Sequence, residues 1–134
     1  MNAKAIISVV VLFILSMGLG FLVHGTLLFD EYSQLPNIYR SMEDSQGYFG
    51  FMIAGHVLIA VGLTWIYRMG HKPTKPWFAQ GINFGLAIAV VSTIPLYLIY
   101  YAVQNAPQSL AMLQIAYDVP ATVILGIVTA FINK

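Results

Sequence analysis

The sequence contains no cysteine and very few charged residues. Zero cysteines in 134 residues exclude disulfides, thiolate metal sites, iron–sulfur clusters and covalently attached haem. Charged residues make up 8% of the chain, against about 25% in a typical soluble domain. Six basic and five acidic side chains are too few to solvate the surface of a globule of this size. The composition therefore excludes soluble, secreted and disordered classes of protein.

Charge clusters and catalytic motifs are also missing. The net charge is +1, the isoelectric point is about 8.0, and no segment gathers lysine and arginine, which excludes nucleic-acid binding. The chain has no glycine-rich phosphate loop, no His-Glu-x-x-His and no Gly-x-Ser-x-Gly. Because no nucleophile lies beside a base in the sequence, we expect a protein that is not an enzyme.

Long hydrophobic runs are present instead, since 59% of the residues are hydrophobic. About 20 apolar residues in a helix cross a bilayer core of about 30 Å. Four segments have this length: residues 5–28, 49–67, 79–103 and 110–132. They show no strand-like alternation, and their backbone groups must pair internally in lipid. The sequence predicts an all-α fold, a four-transmembrane-helix bundle that forms a single integral membrane domain over residues 1–134.

The first segment has the basic start of a signal peptide. Its apolar stretch is too long for one and has no Ala-x-Ala cleavage site, so we expect a genuine span.

The positively charged residues are distributed unevenly between the two sides of this topology. Five lie on the side that carries both termini and one on the other side: Lys4, Arg68, Lys72, Lys75 and Lys134 against Arg40. Cytoplasmic loops of membrane proteins carry the excess of lysine and arginine. We therefore expect both termini in the cytoplasm and a multi-pass protein of the bacterial inner (cytoplasmic) membrane.

The first outer loop, residues 29–48, is the only long connection. Ser33 is suited to cap a helix there, and Pro36 is tolerated in a first helical turn. We expect a short interfacial helix on the outer leaflet, with an irregular loop or a partner-docking surface as alternatives. The apolar residues at helical spacing in this loop are Leu35, Ile38, Tyr39 and Met42.

Small residues mark the faces on which membrane helices pack closely. In each span they recur every four residues together with polar side chains. The rows are Ser16, Gly20 and His24; His56, Ala60 and Thr64; Gly81, Gly85, Ala89, Thr93, Tyr97 and Tyr101; and Gln114, Asp118, Thr122, Gly126 and Ala130. Because His24, His56 and Asp118 share these rows, we expect them to point into the bundle.

These polar side chains also lie at one depth. At 1.5 Å per helical residue, His24, His56 and Asp118 fall within one layer in the outer half of the membrane. The predicted polar site comprises His24, His56, Asp118, Tyr97, Tyr101 and Gln114. Within it we predict a hydrogen bond from the Asp118 carboxyl to His24, to His56 or to a tyrosine of the third span.

Several functions fit such a layer, because ionisable residues inside a membrane are expensive to keep there. Three interpretations of the layer are a structural tie between helices, a proton relay and a small-ligand pocket. His24 and His56 suit the axial ligands of a b-type haem, and with Asp118 they suit zinc or copper. We expect foremost a non-enzymatic subunit, either homo-oligomeric or accessory to a larger membrane complex. The alternatives are a haem or metal protein and a proton-coupled small-ligand carrier, although the chain lacks the inverted repeats of transporters.

Three stretches of the sequence carry a resemblance. They are residues 20–25 (Gly-Phe-Leu-Val-His-Gly), residues 64–67 (Thr-Trp-Ile-Tyr), and residues 95–98 continued by 115–118 and 125–128. Together they resemble a family of small four-helix bacterial membrane proteins of unknown function. The resemblance implies the four-helix fold and brings no activity with it.

Overall fold

The computed structural model describes residues 3–134, and every regular element in that range is helical. Two of the long helices contain a π-helical turn, at Val23–Leu27 and at Ala89–Thr93. The α-helices are α1 (Ala3–Leu22), α2 (Phe29–Ser33), α3 (Met42–Gln46), α4 (Phe49–Gly70), α5 (Trp77–Ile88), α6 (Ile94–Val103) and α7 (Gln108–Asn133).

Four continuous helical segments are long and apolar enough to cross a membrane: Ala3–Leu27, Phe49–Gly70, Trp77–Val103 and Gln108–Asn133. Each has between 22 and 27 residues, more than the approximately 20 residues that a bilayer core requires. The four predicted spans are thus confirmed, and their ends shift by at most three residues. The π turn Ala89–Thr93 comes just before Pro95, whose ring nitrogen has no hydrogen to donate to the preceding turn.

The tightest helix pair is α5 with α7, and it depends on glycine. A Cβ atom added at Gly85 would lie 2.6 Å from the Cα of Val123, and one added at Gly126 would lie 2.6 Å from the carbonyl oxygen of Gly81. Only residues without a side chain allow the two backbones to approach so closely. The predicted small-residue rows of the third and fourth spans therefore pack on each other within one chain.

Helix α1 packs against both α4 and α7. The apolar core between these helices contains Leu12, Ala60, Leu63 and Leu125. The chain ends also meet, because the Lys4 Nζ donates a hydrogen bond of 2.7 Å to the Lys134 carbonyl. We call this side of the bundle the terminal end and the opposite side, with residues 28–48 and 104–107, the loop end.

Polar side chains also tie the helices together near the terminal end. The hydroxyls of Ser8 and Thr64 are 2.9 Å apart, and Asn133 donates to Ser8 at 3.0 Å. Asn133 in turn accepts a hydrogen bond of 3.1 Å from Arg68. This network joins α1, α4 and α7 with its buried groups paired.

The long outer loop has helices, but not where the spacing predicted one. Residues 34–41 form turns, and the short helices lie on either side of them at Phe29–Ser33 and Met42–Gln46. Ser33 does not cap a following helix, because its hydroxyl donates back to the Asp30 carbonyl at 2.8 Å. Ser41 instead caps α3 by accepting from the Asp44 amide at 3.2 Å. The placement of the interfacial helix over Leu35–Met42 is therefore wrong.

The turns at residues 34–41 have a physical reason, which is that Leu35 and Tyr39 face the bundle. Leu35 and Tyr39 pack against the buried cluster of Val23, Leu28 and Leu110. One helical hydrogen bond, from the Tyr39 amide to the Leu35 carbonyl at 2.9 Å, places both on that side before the chain turns away. The loop therefore covers the loop end of the bundle.

A first prediction concerns the glycine contact. Gly126→Ala places a methyl group against the backbone of α5, which cannot move cheaply, and should cost about 1–3 kcal/mol of stability. Gly62→Ala is the matched control, because nothing lies within 4 Å of its added Cβ, and it should gain up to about 1 kcal/mol from helix propensity. Denaturant titration in detergent micelles measures both. Equal stabilities would contradict the close approach of α5 and α7.

Candidate functional site

The site is centred on Asp118, which lies on α7. Its carboxylate oxygen Oδ2 accepts a hydrogen bond from the Tyr97 hydroxyl of α6. The same oxygen is 3.2 Å from the Nε2 atom of His24. The predicted hydrogen bond of Asp118 is therefore present, and it joins three different membrane-spanning segments.

The two partners of Asp118 are placed by irregular turns of their helices. His24 lies in the π turn Val23–Leu27, where the Leu28 amide reaches back to the Val23 carbonyl at 2.9 Å. Tyr97 follows the π turn Ala89–Thr93, which is held to α7 by a contact of 3.1 Å between the hydroxyls of Thr93 and Thr122. Single π turns within α-helices are found frequently at functional sites.

A tyrosine of the outer loop extends the cluster. The Tyr32 hydroxyl is 2.7 Å from the Nδ1 atom of His24 and accepts a hydrogen bond of 3.1 Å from the Gln114 side-chain amide. The Tyr32 and His24 rings are stacked with their centroids 5.9 Å apart. Tyr32 thus links the loop that covers the bundle to the intramembrane carboxylate.

Counting donors and acceptors gives the direction of the hydrogen bond between His24 and Asp118. A carboxylate only accepts, so the Nε2 atom of His24 carries the proton that faces Asp118. Tyr32 accepts from Gln114, and its hydroxyl is also within hydrogen-bond distance of Nδ1 of His24. The tautomer of His24 decides which of these two atoms is the donor.

The phenol of Tyr32 keeps its proton at neutral pH. Tyr32 lies in α2, outside the spanning segments, and burial raises the pKa of its phenol from 10.0 to about 12. The phenol therefore has a proton that it can donate to the Nδ1 atom of His24.

His56 belongs to the same region through a separate set of contacts. Its Nδ1 atom is 3.0 Å from the Ser16 hydroxyl. A Cβ atom added at Gly20 would lie 3.2 Å from the His56 Cε1 atom, so a glycine at this position lets the ring lie against α1. Ser16, Gly20 and His24 therefore do form one face towards the other helices, as their spacing predicted.

His24, His56, Tyr97 and Asp118 border a partly open cavity of about 660 Å³ between the four long helices, with α3 at its loop end. Most of its wall is apolar, and among residues 3–134 no lysine or arginine lines it. Its ionisable side chains are His24, His56, Tyr97 and Asp118, of which Asp118 is the one carboxylate. The aromatic and methionine side chains of the wall include Phe21, Phe49, Met17, Met42 and Met52.

The other two predicted site residues are placed differently. Gln114 is 7% exposed and contacts the cluster through Tyr32. Tyr101 is 40% exposed and does not line the cavity. Tyr101 lies one helical turn beyond Tyr97, nearer the loop end of the bundle.

Tyr32 and Ser16 are the site residues whose roles the sequence did not predict. Tyr32 lies beyond the first span, and the predicted polar site included only residues within the spans. Its separation from His24 by eight residues was a usable signal, because two helical turns bring such residues to the same side. Ser16 was seen as a small residue of the packing row and not as a partner of His56.

The structure brings His24 and Asp118 together, whereas His56 has its own contacts. Among residues 3–134, no group of three or more His, Asp or Glu side chains that could hold a metal ion is present. Both ring nitrogens of His24 face protein partners. The assignment of His24 and His56 as axial ligands of a haem stays a prediction.

The helices and the cavity define a class: an all-α, multi-pass membrane protein with an intramembrane polar cluster. Within that class, the chain belongs to the family described as "Protein of unknown function (DUF1761)", whose model matches residues 7–130. Neither a curated protein nor a solved structure matches the chain. Membership confirms the resemblance seen in the sequence, and the family description assigns no activity.

A second prediction tests the acceptor role of Asp118. Asp118→Leu leaves the Tyr97 hydroxyl and the His24 Nε2–H without an acceptor and should destabilise the bundle by about 1–3 kcal/mol. Asp118→Asn keeps one acceptor oxygen and should cost less. Adding Tyr97→Phe to Asp118→Leu removes one stranded donor and should recover part of the loss. Thermal unfolding in detergent measures all three, and a stable Asp118→Leu variant would contradict the assignment.

Proposed function

We propose that this protein is a non-enzymatic membrane protein that holds a small amphipathic molecule in the cavity between its helices. The observation that carries the proposal is the wall of the cavity, which is mostly apolar and has His24, His56, Tyr97 and Asp118 as its ionisable side chains. An apolar cavity with a few converging polar groups is the usual form of a ligand site. The polar cluster would fix the orientation of the molecule.

The size of the cavity supports ligand binding over a purely structural tie. A volume of about 660 Å³ lies within the range of about 300–1,000 Å³ seen for small-molecule pockets. Tying helices together requires only the side chains that touch. A bound molecule would add packing contacts to the side chains that line this volume.

A third prediction follows from filling the cavity. Ala121 lines it, so Ala121→Phe should displace a bound molecule. Ala54 is exposed on α4 and does not line the cavity, so Ala54→Phe is the matched control. Native mass spectrometry of the protein released from membranes should show a bound small molecule in wild type and Ala54→Phe, and none in folded Ala121→Phe. The same adduct on all three would place the molecule elsewhere, and no adduct on wild type would oppose the proposal.

Association with other subunits is part of the proposal. Gly18 and Gly55 have nothing within 4 Å of an added Cβ atom, so these helices keep surfaces that allow close approach by another helix. A homo-oligomer or an accessory place in a larger membrane complex uses such surfaces. Association predicts that the solubilised protein has a mass above the 14.8 kDa of one chain. A monomer without a co-purifying protein would count against association.

We further propose that both termini face the cytoplasm of a bacterial inner membrane, on the strength of the lysine and arginine distribution. The absence of cysteine makes a fourth prediction simple to test. In intact cells, a thiol reagent that does not cross the inner membrane should label Asn37→Cys, in the outer loop, and should leave Thr74→Cys unlabelled until the cells are opened. The reverse pattern would invert the orientation.

A further inference from the structure

The cavity carries an unusual balance of charge. Among the described residues that line it, Asp118 is the one carboxylate, and no lysine or arginine faces it. Within this wall, the Asp118 carboxylate therefore faces no lysine or arginine that could serve as its counter-ion.

Asp118 has capacity for a further partner. Both of its described side-chain contacts, from Tyr97 and from His24, fall on Oδ2. A carboxylate has about four acceptor sites on its two oxygens, so Oδ1 keeps its acceptor sites. Asp118 is also not sealed from the cavity, since 17% of its side chain is exposed.

A charged carboxylate at this depth is expensive, and a counter-charge lowers that cost. The rest of the wall suits an organic cation. Phe21, Phe49 and Tyr97 offer aromatic rings, which attract cations to their faces, and flexible methionines adapt to irregular apolar groups.

We propose that the molecule held in the cavity is a hydrophobic organic cation, an ammonium or phosphonium type with apolar substituents, and that Asp118 is its counter-ion. This assignment rests on the proposed function and adds the charge of the ligand to it. The positive centre would lie near Oδ1, with the substituents against the aromatic and methionine side chains.

The probes are tetraphenylphosphonium and the uncharged triphenylphosphine oxide, which present similar phenyl groups with and without the positive charge. Binding is measured by equilibrium dialysis against protein in phosphatidylcholine nanodiscs, with empty nanodiscs as the blank for partition into lipid. Wild type should bind the phosphonium at least tenfold more tightly than the oxide.

Asp118→Asn should weaken phosphonium binding at least tenfold and leave binding of the oxide unchanged. Glu43→Gln is the matched control, because Glu43 is an exposed carboxylate of α3 and is not among the residues that line the cavity. This variant should bind the phosphonium as wild type does. Helix content and elution volume establish that each variant is folded. If Asp118→Asn is not folded, Ala121→Phe takes its place and must lose phosphonium binding.

The outcomes separate the two proposals. Equal binding of both probes to wild type, or unchanged phosphonium binding by folded Asp118→Asn, would overturn the cation assignment and leave a cavity for neutral molecules. Binding of neither probe would overturn the cation assignment. If wild type also carries no small molecule after release from membranes, the proposed function itself fails.

Discussion

Lipid offers no hydrogen-bond partners, so each polar group inside a membrane-spanning helix must find its partner within the protein. In this chain that constraint acts most strongly on Asp118, the one carboxylate within the four spans. Its partners come from two other spanning segments, through His24 and Tyr97. The outer loop enters the same chain of hydrogen bonds through Tyr32. One carboxylate therefore fixes the relative positions of three helices and of the loop that covers them.

The bundle satisfies packing and function in different places. Helices α5 and α7 meet through Gly81, Gly85 and Gly126 so closely that no side chain fits between them. Near the terminal end, buried Ser8 and Thr64 pair across α1 and α4. The cavity lies between the same helices towards the loop end. A rigid glycine contact at one position thus supports an open, polar-lined space at another.

Much of this arrangement could be predicted from the sequence, because helix length and small-residue spacing are local properties. Apolar length gave the four spans, and the row of Gln114, Asp118 and Gly126 gave the inward face of α7. The fold of residues 34–41 could not be predicted in this way. Leu35 and Tyr39 have helical spacing whether they lie on lipid or cover the bundle, and only their tertiary contacts decide between these states. Tyr101 shares the spacing of Tyr97 but lies one helical turn nearer the loop end, beyond the residues that line the cavity.

The contact between the Nε2 atom of His24 and the Asp118 carboxylate is the centre of the candidate site. Solid-state NMR of the ¹⁵N-histidine-labelled protein in lipid bilayers tests this contact directly, with the three histidines assigned from His56→Asn and His71→Asn variants. We predict that the Nε2 atom of His24 carries a proton and that Asp118→Asn shifts the Nε2 signal. An unprotonated Nε2 atom, or an Nε2 signal that Asp118→Asn leaves unchanged, would contradict the contact.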